Sequence, residues 1–69
     1  MKYEINTILK HRFNDTVFIK ILAKRDSYYH ISFIKDSYYF EAMDEHFINL
    51  MYCPIEDKYK ELFEVLYGQ

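Results

Sequence analysis

Arg25 to Ser32 reads "RDSYYHIS", and ten residues later Lys35 to Ala42 reads "KDSYYFEA". The same basic-Asp-Ser-Tyr-Tyr string thus occurs twice, each time between runs of strand-forming residues. Asp and Ser favour turns because their side chains bond the local backbone, and Tyr suits a pleated surface. A period of ten is about one strand plus its turn in an antiparallel meander. On this reading residues 28–34 and 38–43 are successive strands and the two Asp-Ser pairs are turns. They lie at opposite ends of one strand, about 20 Å apart at 3.3 Å per residue. The tyrosine pairs then form no common platform, and the repeat is punctuation rather than a binding motif.

Working outward, "TVFIKILA" (residues 16–23) is rich in β-branched residues and predicts the preceding strand. It places Val17, Ile19, Ile21 and Ala23 on one face and Phe18, Lys20 and Leu22 on the other. Asn14-Asp15 supplies the turn before it. From Lys2 to Phe13 the residues alternate, with Tyr3, Ile5, Thr7, Leu9, His11 and Phe13 in one set. A strand fits best, because Asn, Thr and Tyr are poor helix formers; a helix is the rival, since Ile5, Ile8, Leu9 and Phe13 also have helical spacing.

Residues 44–52 suit either a short helix or a fifth strand, and the helix is favoured. Asp44 would cap it, with Phe47, Ile48 and Met51 facing inward. Pro54 fits the first turn of a following helix, with Glu56 and Asp57 near its positive end. Ile55, Tyr59, Leu62, Phe63 and Leu66 then recur on a 3.6-residue period, and Gly68 ends the pattern. The apolar target for this stripe is the face of Val17, Ile19, Ile21 and Ala23 together with Tyr29, Ile31 and Phe33. The expected fold is therefore a single α+β domain over residues 1–69. It is an antiparallel β-meander of about four strands with a C-terminal amphipathic helix packed on one face.

Composition narrows the function. The chain has 69 residues, 51% hydrophobic, with eight Tyr and six Phe, which argues for a packed core rather than disorder. Its one cysteine, Cys53, permits no internal disulfide and reads as a small buried hydrophobe in a reducing, cytoplasmic setting. No signal-peptide pattern or membrane span is evident. The single Gly excludes phosphate-cradling loops. His11, His30 and His46 lack metal-ligand spacing, and His46 with Asp44 and Glu45 suggests weak binding at best. No nucleophile–base pattern emerges, so the expectation is a non-enzymatic protein without cofactor or metal.

Charge is divided unevenly along the chain. Residues 1–35 hold seven Lys/Arg and three acids, net +4; residues 36–69 hold two and eight, net −6. From Asp36 to Asp57 there are six acids and no Lys or Arg. The candidate partner-binding residues are Asp36, Glu41, Asp44, Glu45, Glu56, Asp57, Glu61 and Glu64. Asp57, Glu61 and Glu64 fall opposite the apolar stripe. A one-signed surface steers towards a basic partner, or docks on the chain's own basic half. The alternative is an RNA or single-stranded DNA binder using Lys10, Arg12, Lys20, Lys24, Arg25 and Lys35 with the sheet tyrosines. Overall acidity weighs against it.

In "DSYYFEAMDE" (36–45), in size and in composition, the chain resembles the small early host-takeover proteins of lytic phages of Gram-positive bacteria. Within that group it is similar to inhibitors of the bacterial nucleoid protein HU. The resemblance implies an acidic face, drawn from this stretch and the final helix, that covers the DNA-binding surface of an HU-like protein. The basic N-terminal half departs from an all-acidic DNA mimic.

Overall fold

The computed structural model describes residues 2–55, with the backbone alone described for residues 37–39. The elements are strands β1 (Ile8–His11), β2 (Phe18–Arg25), β3 (Tyr28–Phe33) and β4 (Asp36–Asp44), helix α1 (Glu45–Met51) and strand β5 (Tyr52–Pro54). All strand pairs are antiparallel, in the order β4-β3-β2-β1-β5. The α+β class and the antiparallel meander are as expected from the sequence; β5 was not expected beside α1. Among the described residues no helix is long and apolar enough to cross a membrane.

The path from β4 to β5 dictates the shape of the sheet. These strands are its two opposite edges, about 19 Å apart across four strand spacings in a flat sheet. The seven residues of α1 cover only about 10 Å. The sheet must therefore curl so that its edges approach, and two irregularities provide the bend. In β2 the register shifts between Ile21 and Ala23, leaving Leu22 as the extra residue. In β4 the shift is larger: Ser32 pairs with Phe40 and Phe33 with Asp36, so residues 37–39 are extra.

Inside the curl lie Tyr3, Leu9, Ile19, Ile21, Tyr29, Ile31, Ile48 and Tyr52, with Val17, Phe33, Met43 and Met51 packed against them. The core face is the one expected, except for Ala23. Past the bulge Ala23 pairs with exposed His30, and Lys24 takes the position beside Tyr29. An inserted residue reverses the inward–outward alternation beyond it. Part of the cover over this face is described. Ile48 of α1 and Tyr3 occupy it, and the C-terminal stripe beyond Ile55 lies outside the described residues.

The two Asp-Ser pairs are not equivalent. Asp26-Ser27 is a two-residue turn between paired Arg25 and Tyr28, with Asp26 at φ 54°, a left-handed conformation that Asp tolerates. At the other end the turn is Ile34-Lys35, and Asp36-Ser37 is already in β4. The N-terminal strand is shorter than the alternation suggested. Asn6 at φ 74° and the Thr7 N–H bond to the Glu4 carbonyl (3.2 Å) make a turn there. Ile5, in that turn, and Phe13, in the turn that follows β1, were expected on the inner face and are exposed. Pro54 closes β5 at the sheet edge opposite Leu9, where its missing N–H costs no ladder bond, rather than opening a helix. Cys53 is half-buried beside Lys10 rather than in the core.

Tyr3 returns the N-terminal segment to the core. Its backbone N–H donates to the Tyr29 hydroxyl at 2.9 Å in a buried bond, and the two rings are 6.0 Å apart. The Tyr3 hydroxyl is buried without a partner among the described residues. An orphaned buried donor costs more than a lost apolar contact of the same size. Tyr29→Phe should therefore lower unfolding free energy by about 1–3 kcal/mol, whereas Tyr3→Phe should leave it unchanged or raise it. Urea denaturation of the two variants checks this; a larger loss in Tyr3→Phe contradicts it.

Candidate functional site

The β4–α1 junction carries two of the candidate carboxylates, Asp44 and Glu45; Glu41, earlier on β4, pairs with inward-facing Ile31 whereas Asp44 pairs with exposed Tyr28, so these two side chains leave opposite faces of the strand. Asp44 ends β4 and its Oδ1 accepts from the His46 backbone N–H at 2.8 Å, the cap expected from the sequence. Glu45 opens α1, and its N–H donates to the Ser27 carbonyl at 2.9 Å, tying the helix start to the β2–β3 turn. Glu41 is three residues before the cap and exposed. Asp36 stands apart at the far end of the same strand, opposite Phe33. Glu56, Asp57, Glu61 and Glu64 lie outside the described residues.

Curling of the sheet shows in the electrostatics. Tyr52, on β5, is buried, and burial raises its phenol above the ordinary value; the Glu41 carboxylate on β4 adds to the rise. A carboxylate on one edge thus acts on a phenol on the other.

Around Tyr52 is a run of aromatic contacts that sequence reading missed. The His11 ring is 5.1 Å from Tyr52 and 6.1 Å from Phe13, both edge-on, and Phe47 is 6.5 Å from Tyr52. Phe13 is 77% exposed, Phe47 45% and Leu50 70%. Phe47 was expected to face inward with Ile48 and Met51. In a seven-residue helix only Ile48 reaches the fully buried centre, and Phe47 lies on the flank. Arg12 fastens this corner: its N–H donates to the Met51 carbonyl at 2.8 Å, and Nη2 reaches the Asn49 carbonyl at 3.4 Å.

The basic residues are spread over β1, β2 and the turns. Lys10 pairs with Asp15 at 2.7 Å and Lys24 with Glu4 at 3.6 Å. The Lys10 hydrogen bond, then its charge, hold the Asp15 carboxyl below the usual carboxylate range, although this exposed pair adds little stability. Lys20 is on the outer face of β2, while Arg25 and Lys35 flank turns at opposite ends of β3. Tyr29 is buried and takes no part in any surface stack. Among the described residues no group of three or more His, Cys, Asp or Glu is placed to hold a metal, His46, Asp44 and Glu45 included. No protein-family model, curated protein or solved structure matches the chain.

The raised Tyr52 phenol has a sign that can be checked. The folded state holds this proton more tightly than the unfolded one. Its contribution to stability is therefore complete below the ordinary phenol value of about 10 and is lost as pH rises through the higher folded value. Wild-type stability should fall more steeply above about pH 10 than that of Tyr52→Phe. Glu41→Gln should reduce the effect only in part, because burial is its larger cause. Denaturation curves across the alkaline range test this; parallel pH profiles for wild type and Tyr52→Phe contradict it.

Proposed function

We propose that this protein is a non-enzymatic binding protein of the cell interior. In this reading it covers the DNA-binding surface of a basic, HU-like nucleic-acid-binding protein of a bacterial host and blocks that protein's access to DNA. The observation that carries the reading is the adjacency of Asp44 and Glu45 at the β4–α1 junction, with exposed Glu41 on the same strand, while the basic residues are dispersed or held in ion pairs. Carboxylates held on a rigid edge occupy the Lys/Arg positions that phosphates otherwise neutralise. The reading includes the sequence expectation that Ile55, Tyr59, Leu62, Phe63 and Leu66 make one apolar stripe packed on the domain. Asp57, Glu61 and Glu64 then extend the acidic surface, joined by Glu56 and Asp36.

Dispersal of Lys20, Arg25 and Lys35, and engagement of Lys10 and Lys24 in ion pairs, argue against the nucleic-acid alternative. A phosphate-tracking groove needs cations along one line. The likeness to phage host-takeover proteins points the same way as the charge layout.

Asp44 has to be left in place in any test, because it caps α1. Reversing Glu41, Glu45, Asp57 and Glu61 to Lys should abolish competition with DNA for purified HU and slow association, with thermal unfolding little changed. Reversing exposed Arg25 and Lys35 to Glu should leave competition nearly intact. Wild-type binding should weaken with added salt, since exposed charges are screened over about 8 Å at physiological ionic strength. Competition lost on the basic reversals and kept on the acidic ones, or direct retention of the protein on DNA, establishes the nucleic-acid alternative instead.

A further inference from the structure

The two faces of the sheet are sorted by side-chain parity, and their burial differs. On the inner face Ile48 and Tyr3 close over Leu9, Ile19, Ile21 and Ile31. On the outer face the register sets Ile8 beside Lys20 and Lys20 beside Ser32, one row across β1, β2 and β3. Ser32 is 7% exposed, and Ile8, Lys20 and nearby Phe18 are half-buried. The next row of the same face behaves differently, because His30 and Ala42 are both exposed. Burial is therefore graded along one face, with its covered part beside β1. Where the described chain ends points to the cover. Pro54 pairs with Leu9, so the following residue, Ile55, falls beside Ile8 on the outer face. Ile55 is 7% exposed and stands apart from the inner cluster. A side chain just past an edge strand, with solvent beyond it, is buried only by something laid over it.

We infer that residues 56–67 of this chain pack on the outer face, over the row of Ile55, Ile8, Lys20 and Ser32, and not on the inner face at which the sequence aims them. The inference rests on the packed stripe of the reading under Proposed function and deepens it by assigning the face. Length fits: in the helical form that their period predicts, residues 55–67 reach about 20 Å. The path from β5 over β1 and β2 to β3 is three strand spacings, about 14 Å. Chemistry fits as well. Tyr59, Leu62 and Leu66 have Ile8 and Phe18 to pack on, whereas the inner face is already closed by Ile48. Half-buried Lys20 has no ion-pair partner among the described residues, and the segment carries Glu56, Asp57, Glu61 and Glu64 against two lysines. A carboxylate at the margin of the stripe neutralises that cation where it is partly desolvated. A second copy fits less well, since the chain itself leaves β5 onto this row. The consequence concerns the acidic surface. Asp44 pairs with exposed Tyr28 on the outer side, so Asp57, Glu61 and Glu64, opposite the stripe, join Asp44 on one side of the sheet.

Methyl NOE spectra of the full wild-type chain test this without any partner. Leu62 or Leu66 methyls should show contacts to the Ile8 methyls and none to Ile31 or Ile48. Contacts to Ile31 or Ile48 instead, or no contact between the segment and the sheet, overturn the inference. A second measurement is the thermal transition of Ile8→Asp. Under a packed segment the new charge is desolvated, so the transition should drop and the Leu62 and Leu66 contacts should vanish. On a bare face the same change is an ordinary surface substitution, and a transition equal to wild type overturns the inference. His30→Asp, on the exposed row of the same face, is the control and should melt like wild type. If sedimentation shows a dimer and the contacts disappear on dilution to monomer, the row belongs to a second copy and the inference is again overturned. The functional reading fails separately. A chain that shows the Ile8 contacts but does not bind HU sinks that reading alone, and one that binds HU with the stripe on the inner face sinks this assignment alone.

Discussion

Seven helical residues must join the two opposite edges of a five-stranded sheet, and this constraint shapes everything else described here. Because α1 is too short to cross a flat sheet, the strands have to curl around it, and Ile48 becomes the side chain on which both halves close. It is fully buried in a core drawn from four strands and the N-terminal segment. Both bulges contribute to the same end, since an extra residue on one strand bends it and increases its twist. A chain of 69 residues buries a modest fraction of its surface, and curling lets few side chains enclose a core.

The strands and their inward residues were legible because period-two patterning is strong in "TVFIKILA" and "YYHISF". There β-branched and aromatic residues alternate with Lys, Ser and His. The Asp44 cap was legible for the same local reason: a side-chain oxygen placed two residues before a free N–H. What the pattern does not encode is a slip in register. Ala23 reads as inward by parity, and Leu22 as an extra residue moves it outward without any Gly or Pro to mark the place. The second Asp-Ser is misleading for a related reason, because Ile34-Lys35 makes the turn and carries no turn signal. Strand β5 is three residues long and includes Pro54, too short and too irregular for periodicity to register. Its pairing with β1 is a long-range contact set by the curl.

Legibility of the candidate surface follows the same division. Carboxylates from Asp36 to Asp57 stand out as a run, and the fold places Asp36 at the far end of β4 from Asp44 and Glu45 and Glu41 on the opposite face of the strand from Asp44. The aromatic corner was invisible in the sequence, since Phe13, Phe47 and Leu50 lie up to 37 positions apart and two of them also fit inward positions. The Arg12 bonds to the Asn49 and Met51 carbonyls, and the ring contacts around Tyr52, tie the end of β1 to α1.

The central structural claim is that Ile48 fastens both sheet edges into one cooperative unit. Native-state hydrogen exchange of Ile48→Val tests it most directly, because the change removes one buried methylene and costs about 0.5–1.5 kcal/mol. If the helix closes the curl, protection should fall by one common amount across β1, β2, β3 and α1. A loss confined to α1 and β5, with β2 and β3 as protected as in the wild type, would show that the sheet holds its shape without the helix.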